Sequence, residues 1–182
     1  MNKKIFLALF GMLTVLAAAA QVKKIELVAS GLTCSMCSKA INKALSPLPF
    51  VKEIKTDLNK NLFMITTNDS VFANPDDIKK KVEEAGFSVA KLYLEMDFSD
   101  EPVKNEQHLE KNGYLFSFVN ITSRTLKGKI RLQVIDKGFV AAKEYKKFSG
   151  LTHLKCYKTG FAEDCCPNEG TTGKARIYHV TL

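Results

Sequence analysis

The segment 30–40 constrains the fold of this chain most, because two cysteines there follow a strand-like pattern and precede a helix-like one. Residues 23–29 alternate between apolar and polar positions, as a half-buried strand does. In 38–45 the apolar residues recur at helical spacing. Cys34 and Cys37 lie at the junction. Two thiolates at this spacing can bind one soft metal ion or form a disulfide.

The rest of the N-terminal half repeats strand and helix patterns in a recognisable order. Further strands are predicted at 51–58, 62–67 and 87–96. Asn74 and Pro75 predict the cap and first residue of a second helix, which Gly86 ends. The order strand, helix, strand, strand, helix, strand predicts an α+β, ferredoxin-like βαββαβ domain over residues 21–96. Such a domain has a four-stranded antiparallel sheet with two helices on one face.

Two motifs give residues 22–96 a family resemblance. The run Gly-Leu-Thr-Cys-Ser-Met-Cys at 31–37 and the Ala-Gly-Phe at 85–87 resemble the heavy-metal-associated domain. That domain occurs in copper chaperones, in metal-pumping ATPases and in the exported mercuric-ion-binding protein. The resemblance implies that Cys34 and Cys37 are the metal ligands. Leu32 stands where the family usually has a methionine that packs beneath the loop, and leucine should be tolerated there.

The chemistry of two cysteines indicates the class of metal. Thiolate sulfur favours soft ions, so Cu(I) is the expected cargo, with Hg(II) and Zn(II) as other candidates. A structural zinc site would need four ligands, and no histidine or acidic residue lies beside this loop in the sequence. We expect Met36 to point outward or fill a packing gap, and Phe87 to pack beneath the loop. Incomplete coordination suits ligand exchange, so the expected role is metal carriage or scavenging without catalysis.

Two other functions are consistent with the same cysteines. A Cys-X-X-Cys at a helix start is also the thioredoxin arrangement and predicts thiol–disulfide exchange. The order of elements here differs from thioredoxin. Alternatively, the domain is a scaffold and the chain is a non-metal adaptor that binds a partner through its C-terminal half. No constellation of catalytic residues is evident in the sequence, so we expect a protein that is not an enzyme.

The first twenty residues have the layout of a secretory signal peptide. Lys3 and Lys4 precede an apolar stretch at 5–20, which ends in three alanines before Gln21. This predicts cleavage after Ala20 and an exported protein, periplasmic or secreted. No later segment is long and apolar enough to span a membrane.

The charge of the chain bears on its partners. The formal net charge is +8 over 182 residues, but the lysines are dispersed and an exported protein rarely meets nucleic acid. We therefore expect no nucleic-acid binding. A metal-transporting ATPase or an efflux protein is the candidate protein partner.

The C-terminal half predicts a second domain without a recognised family. Residues 97–113 are polar and are expected to form a linker. Residues 114–182 are expected to form a small, mostly-β sandwich or barrel. Its predicted strands are 114–121, 129–135, 142–148 and 175–182, with a turn at Asp136-Lys137-Gly138 among the signals that separate them.

Three further cysteines lie in this half: Cys156, Cys165 and Cys166. Cys156 can form a disulfide with either of the other two, or the cysteines can form a second soft-metal site with His153 or His179. A third alternative is that these cysteines are unpaired or merely buried, and the sequence leaves all three open.

Overall fold

The structure is a computed structural model that describes residues 22–32, 34–162 and 175–182. The expected signal peptide at 1–20 lies outside the described residues, as do Cys165 and Cys166.

The N-terminal part folds in the predicted βαββαβ order. Its elements are β1 (Lys24–Ser30), α1 (Ser35–Leu45), β2 (Val51–Asp57), β3 (Leu62–Thr67), α2 (Pro75–Glu84) and β4, which begins at Ser88. The strands pair antiparallel in the order β2-β3-β1-β4. The ferredoxin-like arrangement of this part is therefore confirmed.

Alternation along β1 explains how the sheet and helices share one core. Ile25 and Leu27 are fully buried, whereas Lys24, Glu26 and Val28, which alternate with them, are partly exposed. From the helices, Ile41 of α1 and Ile78 of α2 enter the same hydrophobic cluster. Because every second strand residue and one stripe of each helix are apolar, both helices pack on one face of the sheet.

The sheet continues beyond the N-terminal part. The remaining elements are β4 (Ser88–Val103), β5 (His108–Lys111), β6 (Tyr114–Phe118), β7 (Arg124–Val134), α3 (Ala142–Ser149), α4 (Cys156–Thr159), β8 (Phe161–Ala162) and β9 (Ala175–Thr181). Within the described residues the strand order is β2-β3-β1-β4-β7-β9-β6-β5, and β8 pairs with β9. All these pairs are antiparallel except β6 with β9, which is parallel. The described strands thus join one nine-stranded sheet.

The stretch 97–113, expected to be a linker, is largely strand. β4 continues through it to Val103, and β5 follows. Phe98 and Val103 are buried, while most residues between them are exposed or partly exposed. The backbone pairs with β7 from Leu92 to Val103. The linker prediction was wrong because only two of the residues 97–103 have buried side chains, which gives no sustained apolar period in the sequence. The segment is a strand because pairing with β7 satisfies its backbone hydrogen bonds.

The strands predicted at 114–121, 129–135 and 175–182 are present as β6, β7 and β9, but their arrangement differs from the prediction. A separate sandwich or barrel is not formed by the described part of 114–182, because β7 pairs with β4 and β9 joins β7 to β6. The strand predicted at 142–148 is helix α3. Tyr145 and Phe148, three residues apart, both pack against the cluster that contains Ile135 and Tyr157. This helical spacing places both rings on one side, which a strand would not do.

None of the helices in the described residues is long and apolar enough to cross a membrane.

Candidate metal centre

The two cysteines lie at the junction between β1 and α1. Cys34 is the residue before the helix, with extended backbone angles (φ −157°, ψ 167°). Cys37 lies in the first turn, and its backbone N–H donates to the carbonyl of Cys34 at 3.1 Å. The helix begins at Ser35, three residues earlier than the sequence pattern predicts. This early start fixes Cys37 on the helix and leaves Cys34 on the loop.

The thiols of Cys34 and Cys37 face each other. Their Sγ atoms are 3.3 Å apart, and Cys34 is exposed whereas Cys37 is partly buried. The pair predicted from the sequence is therefore brought together at the surface. An incoming thiol from another molecule can reach the exposed Cys34 side.

The sulfur–sulfur distance indicates what binding would require. With metal–sulfur bonds of about 2.3 Å, sulfurs 3.3 Å apart subtend roughly 90° at a metal ion. A linear arrangement with the same bonds needs about 4.6 Å between the sulfurs. Rotation of the exposed Cys34 side chain is the natural way to widen the pair. No group of three or more histidine, cysteine or acidic side chains that could hold a metal occurs among the described residues.

The loop is supported from below by apolar side chains. Leu32 and Phe87 are partly buried and pack against the main core. A Cβ built on Gly31 would lie 3.7 Å from the Phe87 ring. Both residues therefore lie under the loop, as predicted. Met36, by contrast, is 66% exposed and points outward.

The side chains around α1 add positive charge. The helix has no acidic residue in its first turn and carries Lys43 in its last turn. Lys39 and Lys43 line a surface cleft together with Leu58, which is exposed.

The third described cysteine lies in a different environment. Cys156 is 1% exposed, and its Sγ lies 3.4 Å from Nε2 of the buried His179. Of the two histidines predicted as possible partners of this cysteine, His179 contacts it. His153 is exposed, and its backbone N–H donates to Glu106. Asp136 also contacts His179, at 2.7 Å. The sequence places Asp136 in a predicted turn and does not predict this contact, because the two residues are 43 positions apart.

Comparison with known proteins covers the N-terminal part. The family model of the heavy-metal-associated domain matches residues 26–88. No curated protein matches the chain.

Several solved structures are similar to about a third of this chain. The yeast copper transporter domain Ccc2a is 32% identical, over 36% of this chain and 88% of its own, with a TM-score of 0.33. A copper-binding domain from HMA7, a P-type ATPase, is 29% identical over 36% and 86%, with a TM-score of 0.33. Oxidized MerP from Ralstonia metallidurans CH34 is 25% identical over 37% and 94%, also with a TM-score of 0.33.

Proposed function

Residues 26–88 of this chain form a heavy-metal-associated domain, and on that premise we propose that Cys34 and Cys37 bind one soft metal ion. The observation that carries the proposal is the pair of facing thiols, 3.3 Å apart, with Cys34 exposed on the loop. Cu(I) is the favoured ion because thiolates and low coordination numbers suit it, and Hg(II) and Zn(II) are alternatives.

Transfer of the ion would proceed by ligand exchange. Binding releases the thiol protons, since the metal ligands are thiolates. A thiolate of the partner then adds to the ion on the exposed Cys34 side, and the bonds to Cys34 and Cys37 break in turn. The metal ion and the sulfur atoms keep their oxidation states throughout the transfer. The protein acts as a carrier or scavenger, not as an enzyme.

The cellular setting of this function follows from the N-terminal segment. We place the protein outside the cytoplasm, periplasmic or secreted, after removal of residues 1–20. There the thiols must be kept reduced or already loaded with metal, because an oxidising compartment favours disulfides. A metal-transporting ATPase or an efflux protein is the partner of matching chemistry.

A competitive titration tests the proposal. The reduced protein is titrated with Cu(I) against a chelator of known affinity, beside the variant Cys34→Ser/Cys37→Ser. We expect the double substitution to weaken binding by at least a hundredfold. Met36→Leu is the matched control: it removes the exposed thioether between the two cysteines and should leave affinity unchanged.

Equal, weak binding by the wild type and the double variant would contradict the carrier function and favour the adaptor alternative. Catalysed reduction of a disulfide substrate by the wild type, in the absence of tight metal binding, would instead favour thiol–disulfide exchange.

A further inference from the structure

A cleft of about 420 Å³ lies between helix α2 and the C-terminal half of the chain. Lysines line it from three separate segments: Lys79 from α2, Lys137 from the segment after β7, and Lys158 from α4. We call this surface the basic cleft. Its volume is within the range of small-molecule sites, roughly 300–1,000 Å³. The basic cleft shares no residue with the Cys34/Cys37 loop and has the size to admit a small ligand.

The lining of the basic cleft is positively charged. Among the described residues, none of its three lysines forms an ion pair with a carboxylate. Two carboxylates also line the cleft, but Arg176 binds both of them. Its Nε donates to Asp76 at 2.8 Å, and its Nη2 lies 3.3 Å from Oδ2 of Asp136. The carboxylates therefore do not neutralise the lysines, whose charge is left for a ligand.

Lys79 is held at the wall of the cleft by its neighbours. Its Nζ atom lies 5.3 Å from the centre of the Phe139 ring, within cation–π distance. Its Cδ atom lies 3.1 Å from the position that a Cβ on Gly138 would occupy, so the glycine leaves the space that the lysine fills. A side chain that is already ordered loses less entropy when a ligand binds.

Three ammonium groups around one cleft suit a ligand group with more than one negative charge. Lysine binds phosphate as a point charge with three N–H donors. A phosphate monoester carries about 1.5 to 2 negative charges at pH 7, whereas a carboxylate carries one. The charge of the basic cleft therefore favours a phosphate group over a single carboxylate.

Phe161 adds an apolar wall to the basic cleft. Its side chain is 38% exposed. It also lines a second cleft of about 420 Å³, together with Phe72, which is 42% exposed. The two clefts adjoin, because they share Phe161, Asp76 and Arg176. Exposed aromatic rings beside a cationic surface favour a ligand whose apolar part covers the rings.

We propose that the basic cleft binds a small organic phosphate. The phosphate group lies against Lys79, Lys137 and Lys158, and the apolar part of the ligand packs on Phe161. Binding involves no covalent step, and it does not require a metal ion at the Cys34/Cys37 loop.

Calorimetric titration of the full chain with phenyl phosphate tests the proposal. We expect one equivalent to bind, with an affinity that falls as salt is added, because salt screens the lysine charges. Lys137→Gln/Lys158→Gln should lower the affinity at least about tenfold, since each substitution removes a charged hydrogen-bond donor. Both lysines are exposed, so the variant should fold normally.

Lys80→Gln/Lys155→Gln is the matched control. It removes the same charge from two exposed lysines, of which Lys80 follows Lys79 on α2 and Lys155 directly precedes α4. Neither lines the basic cleft, so the affinity should stay at the wild-type value. An equal loss in both double variants would reduce the effect to general charge attraction and overturn the proposal, as would the absence of saturable binding by the wild type.

Phe161→Ala tests the apolar part of the site. The variant should bind phenyl phosphate several-fold more weakly than the wild type does, whereas its affinity for inorganic phosphate should be unchanged. Equal affinities of the wild type for phenyl phosphate and inorganic phosphate would overturn the assignment of an organic ligand.

Cys34→Ser/Cys37→Ser keeps this test separate from that of the metal loop. The variant should bind phenyl phosphate as the wild type does, whether or not the loop binds Cu(I). Loss of phenyl phosphate binding in this variant would contradict a separate site.

Discussion

Gly31 shows how one residue without a side chain shapes the loop that carries Cys34. Its φ of +87° lies in the left-handed region, and the nearest atom to a Cβ there is a Phe87 ring carbon at 3.7 Å. That distance is ordinary contact, so space alone does not demand glycine. The backbone angle does, because left-handed angles cost other residues roughly 1–2 kcal/mol. Gly31 lets the chain turn out of β1 and reach Cys34.

We therefore expect Gly31→Ala to lower the free energy of unfolding by about 1–2 kcal/mol and to weaken Cu(I) binding. Gly128→Ala is the matched control. That glycine has φ of +72° with nothing within 4 Å of its Cβ position, and it lies in β7 rather than at the loop. Both variants should lose similar stability in urea unfolding, but only Gly31→Ala should lose affinity. Wild-type affinity in Gly31→Ala would show that the turn does not position the cysteines.

Helix α2 shows how a local signal positions a whole element. Asn74 accepts from the backbone N–H of Asp76 at 3.0 Å, Pro75 follows in the first turn, and both acidic residues of that turn suit the helix dipole. The sequence predicted Asn74 as the cap and Pro75 as the first residue of this helix. It did not predict that Tyr178 of β9 donates to the same Asn74 side chain at 2.9 Å. The cap thus also ties α2 to the C-terminal strand.

Removal of the cap should destabilise the protein measurably. Asn74→Ala is expected to lower the free energy of unfolding by about 1 kcal/mol, since the backbone N–H of Asp76 loses its acceptor. The Tyr178 hydroxyl keeps an acceptor in Asp76, at 2.9 Å. Asn74→Ser retains a capping oxygen and should lose less. Denaturant unfolding of the three proteins measures this order. Equal stability of Asn74→Ala and the wild type would show that solvent replaces the cap.

At the scale of the whole molecule, a cluster of charges joins the two halves of the chain. Arg176 of β9 donates from Nε to Asp76 of α2 at 2.8 Å and also pairs with Asp136. Burial raises the pKa of Asp76, but the hydrogen bond and charge of Arg176, with the hydroxyl of Tyr178, outweigh burial and hold it below its ordinary value. The carboxylate form is therefore favoured in the folded protein.

This lowered pKa predicts a pH dependence of stability. A group whose pKa falls on folding stabilises the protein above its unfolded pKa of about 3.9, and the contribution is lost as pH falls through the folded value. Asp76→Asn should therefore be less stable than the wild type at pH 7, and the difference should shrink between pH 5 and pH 2. Urea unfolding across this range measures it.

Asp77→Asn is the control for this experiment. Asp77 lies in the same turn but forms no ion pair within the described part of the chain. The stability difference between Asp77→Asn and the wild type should therefore change less with pH than the difference for Asp76→Asn. An equal change for both variants would show that the contact with Arg176 contributes no pH-dependent stability.

The sequence by itself determined the N-terminal half, because its signals are local. Alternation along β1, the helical stripe after Cys37 and the caps of α2 each act within a few residues of chain. The approach of Cys34 to Cys37 is also local, since both lie within one helical turn.

Only the tertiary structure decided how the C-terminal half is arranged. The polar end of β4 is a strand because β7 pairs with it, and α3 is a helix because Tyr145 and Phe148 share one cluster. His179 reaches Asp136 across 43 residues and Cys156 across 23. Such contacts depend on which strands become neighbours in the sheet, and strand order is a property of long-range packing that no local period encodes.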